Sequence, residues 1–136
     1  MKTLITLSTP HLGYFYHNSA LNKAGMWALS KFSNNQIMNN LLMVDSENTK
    51  IDEETCYRNS YLYSLSQNTG LNWFEHVMFC GSIEDYFVSP LSAFATTRES
   101  IQLKKDLKAK IWEEMRVNIE SNLTNCNIYR LLVQFG

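Results

Sequence analysis

Two short segments of this sequence gather residue types that do chemistry: Ser8-Thr9-Pro10-His11-Leu12-Gly13 and Gly81-Ser82-Ile83-Glu84-Asp85-Tyr86-Phe87-Val88-Ser89-Pro90. A loop histidine such as His11 invites a general-base role, because imidazole exchanges its proton near neutral pH. A loop carboxylate such as Asp85 can orient an imidazole and stabilise the cation it becomes. Each residue also has a plainer reading. Aspartates in loops often serve as turn or cap residues, and from pattern alone Asp85 divides evenly between the two roles. Glu84 reads as its solvated neighbour. His17 and His76 read as ordinary surface or strand-edge residues. No two histidines have the spacing of metal ligands, so no metal is implied.

Both segments follow apolar runs, and in open α/β sheets functional loops lie beyond the C-terminal ends of strands. Residues 3–7 (Thr-Leu-Ile-Thr-Leu) and 76–80 (His-Val-Met-Phe-Cys) read as buried strands, and 127–133 (Asn-Ile-Tyr-Arg-Leu-Leu-Val) as a third. Between the first two, Leu21, Ala24, Trp27 and Ala28 keep helical spacing, as do Ile37, Leu41, Leu42 and Val44. Residues 57–67 predict a further helix with Tyr61, Leu62 and Leu65 inward. Asn68-Thr69-Gly70 predicts its stop, with Gly70 in the left-handed conformation. Residues 45–54 are acidic but contain no glycine, which argues for an exposed loop and against a calcium loop. A long helix is predicted over about 99–122. Its stripe Leu103, Leu107, Ile111, Met115, Ile119 and Leu123 reads first as core and second as a partner-binding face. Strands separated by helical segments predict an α/β fold with a parallel sheet and right-handed crossovers.

Composition narrows the function. With 136 residues, 45% of them hydrophobic, the chain can build one modest core, so residues 1–136 read as a single domain. The net charge of -1 supplies no basic field, and nucleic acid is not an expected partner. Lys104, Lys105, Lys108 and Lys110 are flanked by Glu99, Asp106, Glu113 and Glu114, the pattern of a solvated helix face. Three cysteines without a Cys-x-x-Cys pair (Cys56, Cys80, Cys126) suggest reduced, mostly buried thiols and a cytoplasmic location. No apolar stretch approaches the ~20 residues of a transmembrane segment. The apolar run at 4–7 is too short for a signal peptide, and without one the sequon Asn122-Leu123-Thr124 reads as chance.

Ser-Thr-Pro-His-Leu-Gly after a strand resembles the Thr-Pro-His-x-Gly loop of lipase-type α/β-hydrolases. Gly81-Ser82-x-x-Asp85-x-x-Val88 resembles their acid loop, and Tyr61-Leu62-Tyr63-Ser64-Leu65-Ser66 the helix between. In this order the segments resemble the serine esterase (lipase-like) domain family, and within it the eukaryotic proteins called family with sequence similarity one-hundred-thirty-five. The resemblance covers about residues 3–92. It implies the C-terminal part of an α/β-hydrolase fold, with a helical cap-like insert at about 14–75. It also implies a Ser–Asp–His triad in that chain order, with Asp85 as the acid that holds the histidine in one tautomer. The family's base follows its last strand. His11 is therefore expected to shape the loop or line the cleft, with Gly13 beside it. No metal or organic cofactor is implied, and the substrate would be an ester or lipid.

The departures are as informative as the matches. A nucleophile elbow needs Gly-x-Ser-x-Gly, and no two of Gly13, Gly25, Gly70, Gly81 and Gly136 stand four apart. The nucleophile and oxyanion hole are expected upstream of Met1, and the base beyond the third strand. Ser89 separates Val88 from Pro90, where the family has Val-Pro directly, and Leu91 stands where a histidine is common. By itself the chain is expected to be inactive and to self-associate through an exposed sheet edge. The alternative is a non-catalytic binding module that keeps the fold remnant. A small flavodoxin-like domain ranks last, because the loop after the first strand lacks a glycine-rich phosphate cradle.

Overall fold

A computed structural model of the chain describes residues 2–14, 25, 36–45, 52–97 and 106–134. Among them, strands β1 (Thr3–Leu7), β2 (His76–Gly81) and β3 (Asn127–Leu132) form a parallel sheet in the order β1-β2-β3. The register pairs Ile5 with Met78 and Met78 with Tyr129. The α/β expectation holds, with β2 one residue longer and β3 one shorter than the pattern predicts. The helices are α1 (Gln36–Leu42), α2 (Glu53–Arg58), α3 (Tyr61–Ser66), α4 (Pro90–Ala93) and α5 (Leu107–Ser121), with a 3-10 turn at Thr69–Trp73. Of the predicted helix about Leu21 to Ala28 the described residues include Gly25 alone, which is helical, and His17 and Leu103 lie outside them.

Alternation along the strands decides which face is covered. Val77 and Phe79 of β2 point to one face and are fully buried against Ile111, Trp112, Met115 and Ile119 of α5. The four-residue stripe is therefore core, continued by the buried Leu123. Asp106 starts α5 by accepting the Ala109 amide at 2.7 Å. The opposite face carries Ile5 (55% exposed), Leu7 (73%), Tyr129 (44%) and Leu131 (44%), so it remains largely uncovered. His76 opens the central strand, not an edge strand, and stacks on Tyr129.

Several local expectations are corrected. The helix predicted over 57–67 is two helices, because Ser60 interrupts it. Its hydroxyl donates to Tyr57 O (2.7 Å) and accepts the Tyr63 amide (3.3 Å), which caps α3. Leu62 and Tyr63 are buried, whereas Tyr61 and Leu65 are exposed along an open cavity. Gly70 is not a left-handed stop, since the chain enters the 3-10 turn there, and among the described residues Gly13 is the glycine with positive φ. The acidic segment is not wholly loop. Asp52 caps α2 and Glu53-Glu54 form its first turn, where carboxylates complement the free amides. Arg58 of α2 pairs with Glu54 (3.0 Å) and Glu114 (2.8 Å), and Tyr63 also donates to Glu114 (2.9 Å), tying α2 and α3 to α5.

Candidate functional site

Both chemically suggestive segments do follow strands. The chain leaves β1 through Ser8, whose φ of 45° is left-handed, and the Ser8 amide donates to Cys80 O at 2.9 Å. A non-glycine residue held there stores about 1–3 kcal/mol, a cost that clusters at functional loops. The chain leaves β2 at Gly81. A Cβ there would stand 3.0 Å from that of Ala93, so glycine lets α4 close against the strand end. Ser89 caps α4 by accepting the Leu91 amide (3.3 Å), and Pro90 occupies its first turn. The loop predicted over 82–90 therefore ends in a helix.

Asp85 lies half-buried between these ends. Its Oδ1 accepts the amides of Phe87 (2.8 Å) and Val88 (2.9 Å). This Asx-type turn fixes the carboxylate against its own loop. A cavity of about 350 Å³ opens beside it, bounded by Leu7 and Ser8 at the end of β1, Cys80 and Ser82 at the end of β2, and Val133 just past β3. The ends of all three strands thus meet at Asp85. Tyr14 stands close by. Burial, and then the negative charge of Asp85, raise its phenol above the usual 10. Glu84 is exposed, and its amide donates to Ser82 Oγ at 3.1 Å.

His11 belongs elsewhere. Its Nε2 lies 3.1 Å from Thr6 Oγ1, and its ring meets Phe79 edge-on at 5.1 Å. Burial lowers its pKa from 6.5 to about 4, so the imidazole is neutral at physiological pH. It lines a second cavity of about 550 Å³, bounded by Ile37, Leu41, Leu62, Leu65 and Phe74. No charged residue lines that cavity among the described residues. His11 and Asp85 therefore face separate cavities. Gly13 borders neither. It is buried with φ +67°, and an added Cβ would stand 2.7 Å from Leu41 O.

A family model described as "putative serine esterase" matches residues 1–99. The chain belongs to that family. Its matched span holds both strand-end loops, Asp85 and, apart from Ile119, the lining of the apolar cavity, and membership supports hydrolase-like function in general. No solved structure matches the chain. Among the described residues, no helix is long and apolar enough to cross a membrane.

Two residues at the site were not legible in the sequence. Tyr14 had no signal, because the Asp85 charge reaches it through the fold and not along the sequence. Ser92 is fully buried, and its hydroxyl accepts the Leu12 amide (3.1 Å) and donates to Gly13 O (2.9 Å). The nearby Ser89-Pro90 pair carries a helix-start signal, which would have placed Ser92 on α4 but not against Leu12.

Proposed function

We propose that the chain supplies the acid-loop part of a serine esterase acting on ester or lipid substrates through an acyl-serine intermediate. Asp85 is the triad acid. The single observation that carries this reading is a carboxylate held by two backbone amides, in a cavity shared with the segment just past β3. A histidine following β3 would enter there, and the fixed carboxylate would select its tautomer. The nucleophile and base come from outside these residues. The 136 residues contain no Gly-x-Ser-x-Gly, and His11 is neutral and turned toward another cavity. Within one α/β domain, the described helices α1, α2 and α3 are read as part of a cap-like insert at about 14–75. The 550 Å³ apolar cavity beneath α1 and α3 supports this, since its size and lining suit the acyl part of an ester. The thiols of Cys56, Cys80 and Cys126 are not joined in disulfides, which supports a reducing, cytoplasmic setting.

A fluorophosphonate probe tests the proposal. The purified 136-residue chain is expected to remain unlabelled. A longer form that joins this sequence to a Gly-x-Ser-x-Gly segment is expected to label at one serine. Stoichiometric labelling of the short chain would sink the proposal.

One observation favours a second reading, a non-catalytic module that uses the fold remnant to associate. Ile5, Leu7, Tyr129 and Leu131 leave an apolar sheet face uncovered, and both β1 and β3 are edge strands among the described residues. A longer form that also fails to label would favour this reading.

A further inference from the structure

The two strand-end loops are far apart in sequence but are joined by one hydroxyl. Ser92 sits on α4, directly after the acid loop, with no solvent exposure. Its Oγ accepts from Leu12 N (3.1 Å) and donates to Gly13 O (2.9 Å), so both hydrogen-bonding capacities are used on the backbone of the first loop. The chain between Ser92 and Asp85 is short and fixed at each step. Asp85 Oδ1 holds the Val88 amide, Ser89 caps α4, and the Ala93 amide donates to Ser89 O at 3.0 Å. The first loop is fixed in turn, since Tyr14 N donates to Leu41 O at 3.2 Å and only glycine fits at residue 13.

We propose that Ser92 is a positioning residue: by clamping α4 to Leu12 and Gly13, it sets the acid loop against the first loop and so places the Asp85 carboxylate. Its importance for catalysis rests on the reading of Asp85 as triad acid. The clamp itself does not. A purely structural serine would affect stability alone. A positioning serine also moves the environment of Asp85, and Tyr14 reports on it because its phenol is raised first by burial and then by the Asp85 charge.

Two measurements on the full chain test this. In the native protein, amide hydrogen exchange at Leu12 is expected to be protected like the β2 amides, and free exchange there would overturn the clamp. Tyrosine ring-carbon NMR then follows the Tyr14 phenol through alkaline titration. Ser92→Ala is expected to bring its midpoint down toward 10 while β2 and β3 amide shifts stay in place. Ser92→Cys, which keeps a weak donor and acceptor, is expected to shift it less. A folded Ser92→Ala chain with an unmoved Tyr14 midpoint overturns the proposal. If Ser92→Ala does not fold, Leu12 exchange decides alone. Failure of the triad reading would appear separately, as probe labelling indifferent to Asp85, with the Tyr14 result intact.

Discussion

The loops after β1 and after β2 occupy equivalent places in the fold, yet they treat their titratable residues in opposite ways. His11 is drawn inward against Phe79 and Thr6, lines an apolar cavity and loses its proton. Asp85 is held at the edge of a second cavity by two backbone amides that its Oδ1 accepts. Position at a strand end therefore does not make a residue catalytic. What decides is whether the surrounding backbone solvates the charge or the apolar core excludes it. In this chain the histidine that invites a base assignment is the one the core has neutralised.

The largest expected effect comes from Asp85. In the longer, labelling-competent form, Asp85→Asn should lower turnover on the order of 10⁴-fold, the loss typical when a triad histidine is left in the wrong tautomer. His11→Gln should lower it by no more than roughly tenfold, as fits a residue without a proton-transfer role. A larger loss at His11 than at Asp85 would break the comparison.

The pH dependence of stability sharpens it. The His11 pKa is about 4 when folded and 6.5 as its ordinary value. As pH falls below 6.5, the unfolded chain binds this proton first, so stability drops between pH 6.5 and 4 and is unaffected by His11 above that window. The full loss would be about 3 kcal/mol. Urea titrations at pH 7, 5.5 and 4.5 should show a steeper fall for the native chain than for His11→Gln. Equal slopes would remove the half-buried, neutral histidine from the argument.

Glycine substitutions give a smaller effect with a built-in control. Gly13→Ala should cost at least about 1–3 kcal/mol, from its left-handed φ and from the collision with Leu41 O. Gly70 has open space around it and no positive φ, so Gly70→Ala should change stability by less than about 1 kcal/mol. Chemical denaturation of both variants measures the difference. Smallest in folding terms is Leu131→Lys on the exposed face, expected within about 0.5 kcal/mol of the native chain. It should nonetheless shift sedimentation toward monomer if that face carries self-association.

The strands were legible because each is a short apolar run bounded by turn residues, and the 3–7 span matches β1 residue for residue. The α5 stripe was legible because its spacing keeps Ile111, Met115 and Ile119 on one side of a helix. The helices between β1 and β2 were less so. Ser60 breaks the span 57–67 through a side-chain hydrogen bond that competes with the helix. Tyr61 and Leu65 are apolar by type but exposed by position, so hydrophobicity alone misassigned them.

Local chemistry, carried by the sequence itself, determined the α/β class, the two strand-end loops, the family resemblance and the absence of a nucleophile elbow. Those features depend on residue types within a few positions of one another. Tertiary structure decided the rest: that His11 is neutral, that Asp85 shares a cavity with the end of β3, and that Ser92 joins two loops 79 and 80 residues apart. Burial and long-range hydrogen bonds are properties of the packed chain, set by what each side chain meets once the sheet and helices have closed around it.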